Sequence, residues 1–246
     1  MIAFLCAAAA TAGFFDAIAG GGGLIQLPAL LVGLHDKPVV NVLGTNKFAS
    51  IFGTANAANR YRKQVHIDKK FLASMMVPAF VGSMGGAALA SKVPTEQMRV
   101  VVLIALIAIF IYTALNPKLG HEENQKLDYK VAAIAGLGIG FYDGIFGPGT
   151  GTFLMAVLVG ALGFGFLSAS AIAKFTNVAT NLAAIIIFAK AGVILWGIGA
   201  ALAISNVIGS TLGSHMALKG GSPLVRKVFL LMTAALIAKV GFDVVN

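Results

Sequence analysis

The sequence predicts an all-α polytopic membrane protein built from two repeats of about four hydrophobic segments each. Three observations carry that prediction: apolar stretches of bilayer-spanning length along the whole chain, a gapless internal match, and a glycine-rich break inside the first apolar stretch of each copy.

The hydrophobic share is 58%, only 11% of residues are charged, and the mean hydropathy is +0.90, so lipid rather than water is the expected solvent. Apolar segments fall at 2–34, 39–58, 71–91, 99–115, 131–162, 167–189, 193–218 and 228–245. Most approach the ~20 residues that a helix needs to cross a hydrocarbon core about 30 Å thick. The connectors leave no room for a soluble catalytic domain. The net charge of +9 sits mostly in those connectors, where membrane topology explains it and a nucleic-acid partner does not. Cys6 stands alone, which excludes an internal disulfide or a thiolate metal cluster, and His35, His66, His121 and His215 lack ligand spacing. No metal and no cofactor is therefore expected. Catalytic residues are likewise not expected, because no Ser/His/Asp, HExxH or Walker pattern is present. The opening MIAFLCAAAATAGFF lacks a basic leading region and is expected to be retained rather than cleaved as a signal peptide.

Residues 13–92 align with residues 140–219 at a constant offset of 127. GFFDAIAGGGG, Gly13 to Gly23, faces GFYDGIFGPGT, Gly140 to Thr150, and matches Asp16 to Asp143. Lys47-Phe48 falls on Lys174-Phe175, and Gly82-Ser83 with Gly86 falls on Gly209-Ser210 with Gly213. The division is thus a first transmembrane repeat at 1–115, a cytoplasmic linker at 116–130 and a second transmembrane repeat at 131–246. Helix propensity falls by about 1 kcal/mol per Gly and about 3 for Pro, so GGGG and GPGTG interrupt the first segment of each repeat. Two readings stay open there, a long kinked span or a re-entrant hairpin. The hairpin makes the repeats inverted, and loop charge favours inversion. It places eleven Lys and Arg (Arg60, Arg62, Lys63, Lys69, Lys70, Lys118, Lys126, Lys130, Lys219, Arg226, Lys227) inside, against four (Lys37, Lys92, Arg99, Lys190) outside.

Charges inside apolar segments cost roughly 2.5 to 3.5 kcal/mol each on insertion scales, so Asp16, Lys47, Asp143 and Lys174 each need a reason. Lys174, Asn177 and Asn181 share one helical face, as do Lys47, Ser50 and Thr54, with Thr45, Asn46 and Thr176 beside them. Ammonium, amide and hydroxyl donors suit a small oxyanion. Helix starts after the breaks, at Gly21, Gly22 and Gly23 and at Gly149, Thr150 and Gly151, add backbone N–H groups and positive dipole ends. A plainer reading pairs Lys47 with Asp16 and Lys174 with Asp143 as structural neutralisation, and a further one has both carboxylates couple proton movement. Gln26, Asn56, Asn206 and His215 read as interhelical hydrogen-bond partners, and the GSxxG motifs at Gly82 and Gly209 as sites of close helix packing.

Taken together, GFFDAIAGGGGLIQLPALL, GTNKF, GPGTGTF and AKFTN make the chain resemble the TauE/SafE sulfite exporter family over essentially its whole length. The resemblance implies an integral membrane exporter of sulfite or other sulfur-containing organic anions, working without ATP hydrolysis. Its glycine-rich and Asn-Lys motifs fall on Gly20 to Gly23, Asn46 and Lys47, and on Gly147 to Gly151, Lys174, Thr176 and Asn177. The half-sites differ, since Thr45-Asn46 precede Lys47 whereas Thr176-Asn177 follow Lys174.

The expected function is a secondary transporter of a small anion in a bacterial cytoplasmic (inner) membrane, with the lipid bilayer and the anion as partners and a homo-oligomer left open. The alternatives are a proton or metal-cation transporter using Asp16 and Asp143, and a non-transporting membrane scaffold.

Overall fold

The computed structural model describes residues 1–90, 95–120 and 124–245, with the backbone alone for 95–102, 105 and 243–245. These residues form helices joined by short turns: α1 (Ile2–Ala19), α2 (Gly23–Gly33), α3 (Val39–Tyr61), α4 (Lys69–Leu89), α5 (Thr95–Leu115), α6 (Tyr129–Ile145), α7 (Thr150–Gly160), α8 (Phe166–Lys190) and α9 (Trp196–Val245). The starts of α1 to α4 recur 127 residues later at the starts of α6 to α9. Local chemistry sets several of these boundaries. The Asp68 carboxylate accepts from Phe71 N–H at 2.6 Å to start α4, and Asp128 accepts from Lys130 and Val131 N–H at 3.0 Å to start α6. The two segments expected at 193–218 and 228–245 are joined in α9. That helix bends at Gly221, whose φ of 61° only glycine adopts cheaply, just ahead of Pro223.

The long apolar stretches 2–34 and 131–162 are each divided. Gly20 leaves α1 with φ 81°, and Gly147 and Gly149 turn the chain between α6 and α7 with φ 91° and 83°. Gly22 lies against Ala12 and Asp16, while Gly33 at the far end of α2 lies against Leu5, so α2 runs back along α1. In the second case Tyr129, at the start of α6, and Phe164, just past α7, both pack on Phe71. Each short helix therefore returns to the end from which its longer partner set out. At 11 residues, or about 16 Å, each reaches only halfway through a hydrocarbon core.

Contacts between the turns show which of them share an end of the bundle. The Phe166 N–H donates to Gly120 O at 3.1 Å, Lys126 N–H to Leu162 O at 2.8 Å, and Leu167 N–H to the Ser222 hydroxyl at 3.1 Å. Arg226 donates to Thr113 O at 2.7 Å beside them. This end collects the loop basic residues from Arg60 to Lys70, from Lys118 to Lys130 and from Lys219 to Lys227. At the opposite end Leu195 N–H donates to Thr45 Oγ1 at 3.1 Å and Trp196 packs edge-on to Phe48. Lys37 and Lys190 lie there, whereas Lys92, His121 and the Arg99 side chain lie outside the described residues.

Glycine lets the helices approach to backbone contact, and it does so between the two halves of the chain. Gly82 and Gly86 on α4 press on the Leu137 and Phe141 carbonyls of α6, which answers with Gly136, Gly140 and Gly144 against Met75, Ala79 and Ser83. Gly209 and Gly213 on α9 press in the same way on Ala10 and Phe14 of α1. Such small-residue seams supply the van der Waals contact that holds helices together in lipid. Large apolar side chains, among them Phe4, Val77, Ile134, Ile204 and Leu212, point outward, while Thr45, Ser83, Asn177 and Asn206 are buried. That inside-polar, outside-apolar arrangement fits a bilayer. Among the described residues α1, α4 and α8 are long and apolar enough to span one.

A Gly140→Val change should force α4 from α6 and lower the melting temperature in detergent by several degrees or abolish a monodisperse peak. Gly138→Ala, which meets nothing within 4 Å, should leave it unmoved. With Cys6 replaced, cysteines at Lys190 and Ser222 should label from opposite faces of sealed vesicles; labelling from one face would contradict the arrangement of ends.

Candidate functional site

The two glycine turns meet inside the bundle. Gly20 lies against Gly151 and Gly23 against Pro148, so the start of each short helix abuts the other half. A cavity of about 50 Å³ lies beside this contact, bordered by Gly21, Gly22 and Gly23 from the first turn and Gly147, Gly149, Thr150 and Gly151 from the second. Its remaining wall is polar: Asn46, Lys47, Ser50 and Thr54 from α3, Asn177 and Asn181 from α8, Asn206 from α9, and Asp16 and Asp143. A volume of this size holds a few water-sized groups, the scale of a small oxyanion.

The charged residues pair across the halves. Lys47 Nζ is 2.7 Å from Asp143 Oδ1, and Lys174 Nζ is 3.0 Å from Asp16 Oδ2. The expected pairings of Lys47 with Asp16 and Lys174 with Asp143 are therefore replaced by crossed ones. The reason is the interlocking of the halves, which carries each glycine turn to the polar helix of the other copy.

The pairs differ in their surroundings. Lys174 is fully enclosed and does not border the cavity, and Asp16 is held at both oxygens. Gly22 N–H approaches its Oδ1 at 3.4 Å, and the Thr54 hydroxyl lies 3.5 Å from Oδ2. Lys47 and Asp143 both border the cavity. Asp143 Oδ1 also accepts from the Thr150 hydroxyl at 2.6 Å, but its Oδ2 is buried without a partner. Gly147 is needed beside them, because a side chain there would come within 2.9 Å of Lys47 Nζ on backbone with φ 91°.

The carboxamides of Asn46, Asn177 and Asn181 make no hydrogen bond to any described residue, and the oxygens of Asn46 and Asn177 are buried without partners. Buried amide oxygens rarely stay unsatisfied, so the two of Asn46 and Asn177, with Asn181 beside them, make this cavity the candidate ligand site. Dipoles of the two short helices add positive ends at the same place.

Of the residues singled out in sequence, Lys47, Asn46, Asn177, Asn181, Asp16, Asp143 and the glycine-turn residues come together here. Lys174, Thr45 and Thr176 do not border the cavity. Thr45 receives the Leu195 N–H, and the Thr176 hydroxyl donates to Ile172 O on its own helix at 3.0 Å. Ser50 and Thr54, noted only as sharing the Lys47 face, belong to the wall, as does Gly147. Asn206, read as an interhelical partner, both donates to Gln26 Oε1 at 2.8 Å and borders the cavity. Asn56 joins helices as expected, donating to the Ser210 and Thr211 hydroxyls at 2.9 Å, whereas His215 is exposed.

Breaking a buried pair by removing one partner costs on the order of 3 to 5 kcal/mol. Lys174→Met should therefore destabilise the protein by about that much, and adding Asp16→Asn should recover most of the loss. Equal thermal stability of single and double variants would show that the pair does not hold the halves.

The profile of the sulfite exporter TauE/SafE family matches residues 5–240. A probable membrane transporter protein, ORF9, of Sinorhizobium sp is 36% identical over 238 residues, covering 96% of this chain and 90% of that protein. The probable membrane transporter protein YfcA of Escherichia coli K12 is 36% identical over 94% of this chain and 86% of its own. A probable membrane transporter protein of Haemophilus influenzae is 34% identical over 99% and 95%. No solved structure matches the chain.

Proposed function

We propose, given that the chain belongs to the sulfite exporter TauE/SafE family of membrane transporters, that it exports a small anion across a bacterial inner membrane by a secondary mechanism. The cargo is sulfite or a sulfur-containing organic anion. The observation that carries this reading is the cavity wall: one cavity-lining ammonium, Lys47, with the carboxamides of Asn46, Asn177 and Asn181 beside two helix starts. Neutral amide donors surround oxyanion oxygens without adding a second buried charge, and helix N-termini supply positive potential without side chains.

Transport follows from an inverted-repeat reading of the chain. The basic loop 62–68 and its counterpart 191–195 lie at opposite ends of the bundle, and both short helices stop halfway, which supports two half-sites facing opposite sides of the membrane. Rocking one half against the other then opens the cavity alternately to each side. An anion leaving the cytoplasm gains about 2.3 kcal/mol per net charge per 100 mV of inside-negative potential.

A second reading draws on the buried oxygens of Asn46, Asp143 and Asn177, which lack donors and would suit a cation. Against it, the described residues bring together no group of three or more His, Cys, Asp or Glu able to hold a metal ion.

Sulfite binding to the purified protein separates the two. Lys47→Met should weaken it about ten- to a hundredfold, the worth of one charged hydrogen bond. Undiminished affinity would defeat the anion site, and cation binding lost on Asp143→Asn would establish the second reading.

A further inference from the structure

Only one of the two ion pairs is arranged to release its lysine to cargo. Asp16 is partnered through both oxygens, and its lysine is sealed behind it with no access to the cavity. Asp143 is partnered through Oδ1 alone, and its lysine stands on the cavity wall. The side chain of Asp143 is 6% exposed, so the unpartnered Oδ2 is a sheltered acceptor that no described residue serves.

We infer that Lys47–Asp143 is an exchangeable pair: an arriving anion takes the Lys47 ammonium, and Asp143, stripped of its counter-charge, takes up a proton at Oδ2. Cargo and proton then load together, while Lys174–Asp16 remains a fixed brace. This rests on the anion reading above. The balance closes for a monoanion: the ammonium and carboxylate sum to zero before loading. The ammonium, the anion and a neutral carboxyl group sum to zero after it. Without the proton, a bare carboxylate and an anion would share one ammonium in a buried site, where an ionised group lacking a partner neutralises instead.

The groups around Asp143 agree with this assignment. From α3 it meets Lys47, and from α7 the Thr150 hydroxyl, which does not ionise here. Across the cavity stands Asp16, neutralised by Lys174 of α8. On its own helix Tyr142 spends its hydroxyl proton on Pro148 O at 2.6 Å. The α4 face packed along α6 presents Met75, Ala79, Ser83 and Ala87, none of them ionisable. One site therefore gains the proton. A monoanion so loaded crosses without net charge, and a dianion crosses with one negative charge, which an inside-negative potential pushes outward.

The test is calorimetric binding of methanesulfonate, whose charge is constant near neutral pH, in buffers of different ionisation enthalpy. The wild type should take up about one proton per anion, and its affinity should fall about tenfold per pH unit as pH rises, because the loaded state holds one more proton. Asp143→Asn should bind at least as tightly, with no proton uptake and no pH dependence. Binding by the wild type without proton uptake overturns the inference and leaves the anion site standing. Uptake that persists in Asp143→Asn overturns the assignment to that residue, and no binding by the wild type overturns both readings.

Discussion

The fold turns on the crossing of charge between its halves. Each buried lysine finds its carboxylate in the last turn of the helix that precedes the glycine turn of the other half, Lys47 with Asp143 and Lys174 with Asp16. Each half relies on the other to neutralise its charges, and in lipid an ion without a partner is costly. That requirement explains the glycine seams as well. Helix α4 lies in backbone contact with α6, and α9 with α1, and the helices so held, α6 and α1, carry the aspartates of the 2.7 and 3.0 Å pairs. Packing and electrostatics are thus one constraint, since a wider seam would separate the charges.

The same crossing creates the cavity. Two turns made of glycine cannot fill the space where they meet, and Gly20 against Gly151 leaves backbone facing backbone. What lines the remaining space is decided by the polar faces of α3 and α8. A repeat that placed Leu at Asn46, Asn177 and Asn181 would fill that space and need no ligand. The unpartnered amide oxygens are a local cost in stability, and such local costs gather at sites more than in cores.

Much of this was legible in sequence, and for stated reasons. The offset of 127 between Asp16 and Asp143 and between Lys47 and Lys174 singles out all four charges inside the apolar segments. Helical spacing grouped Lys174 with Asn177 and Asn181, and Lys47 with Ser50 and Thr54. What spacing cannot convey is partnership between distant segments, so the plainer reading of structural neutralisation pairs each lysine with the aspartate of its own half. Helical wheels also could not separate Lys47 from Lys174. The two occupy matching positions, and only packing shows that one borders the cavity and the other is enclosed. Glycine breaks alone leave hairpin and kinked span both open, with loop charge favouring the hairpin: Gly20 to Gly23 mark where a helix stops, but the contact of Gly33 with Leu5 decides where the chain goes next.

Divergence between the copies then becomes informative. Thr150 replaces the position held by Gly23, and its hydroxyl occupies Asp143 Oδ1 alongside Lys47. In the first copy no hydroxyl is available there, and Asp16 is completed by the Gly22 N–H and by Thr54, whose own counterpart in the second copy is Asn181. Exchanging a hydroxyl for an amide on α8 gives the cavity wall another carboxamide and leaves Asp143 Oδ2 without a partner. Small polar exchanges of this kind are enough to make one pair a brace and the other a wall of the cavity, without altering the helices that carry them.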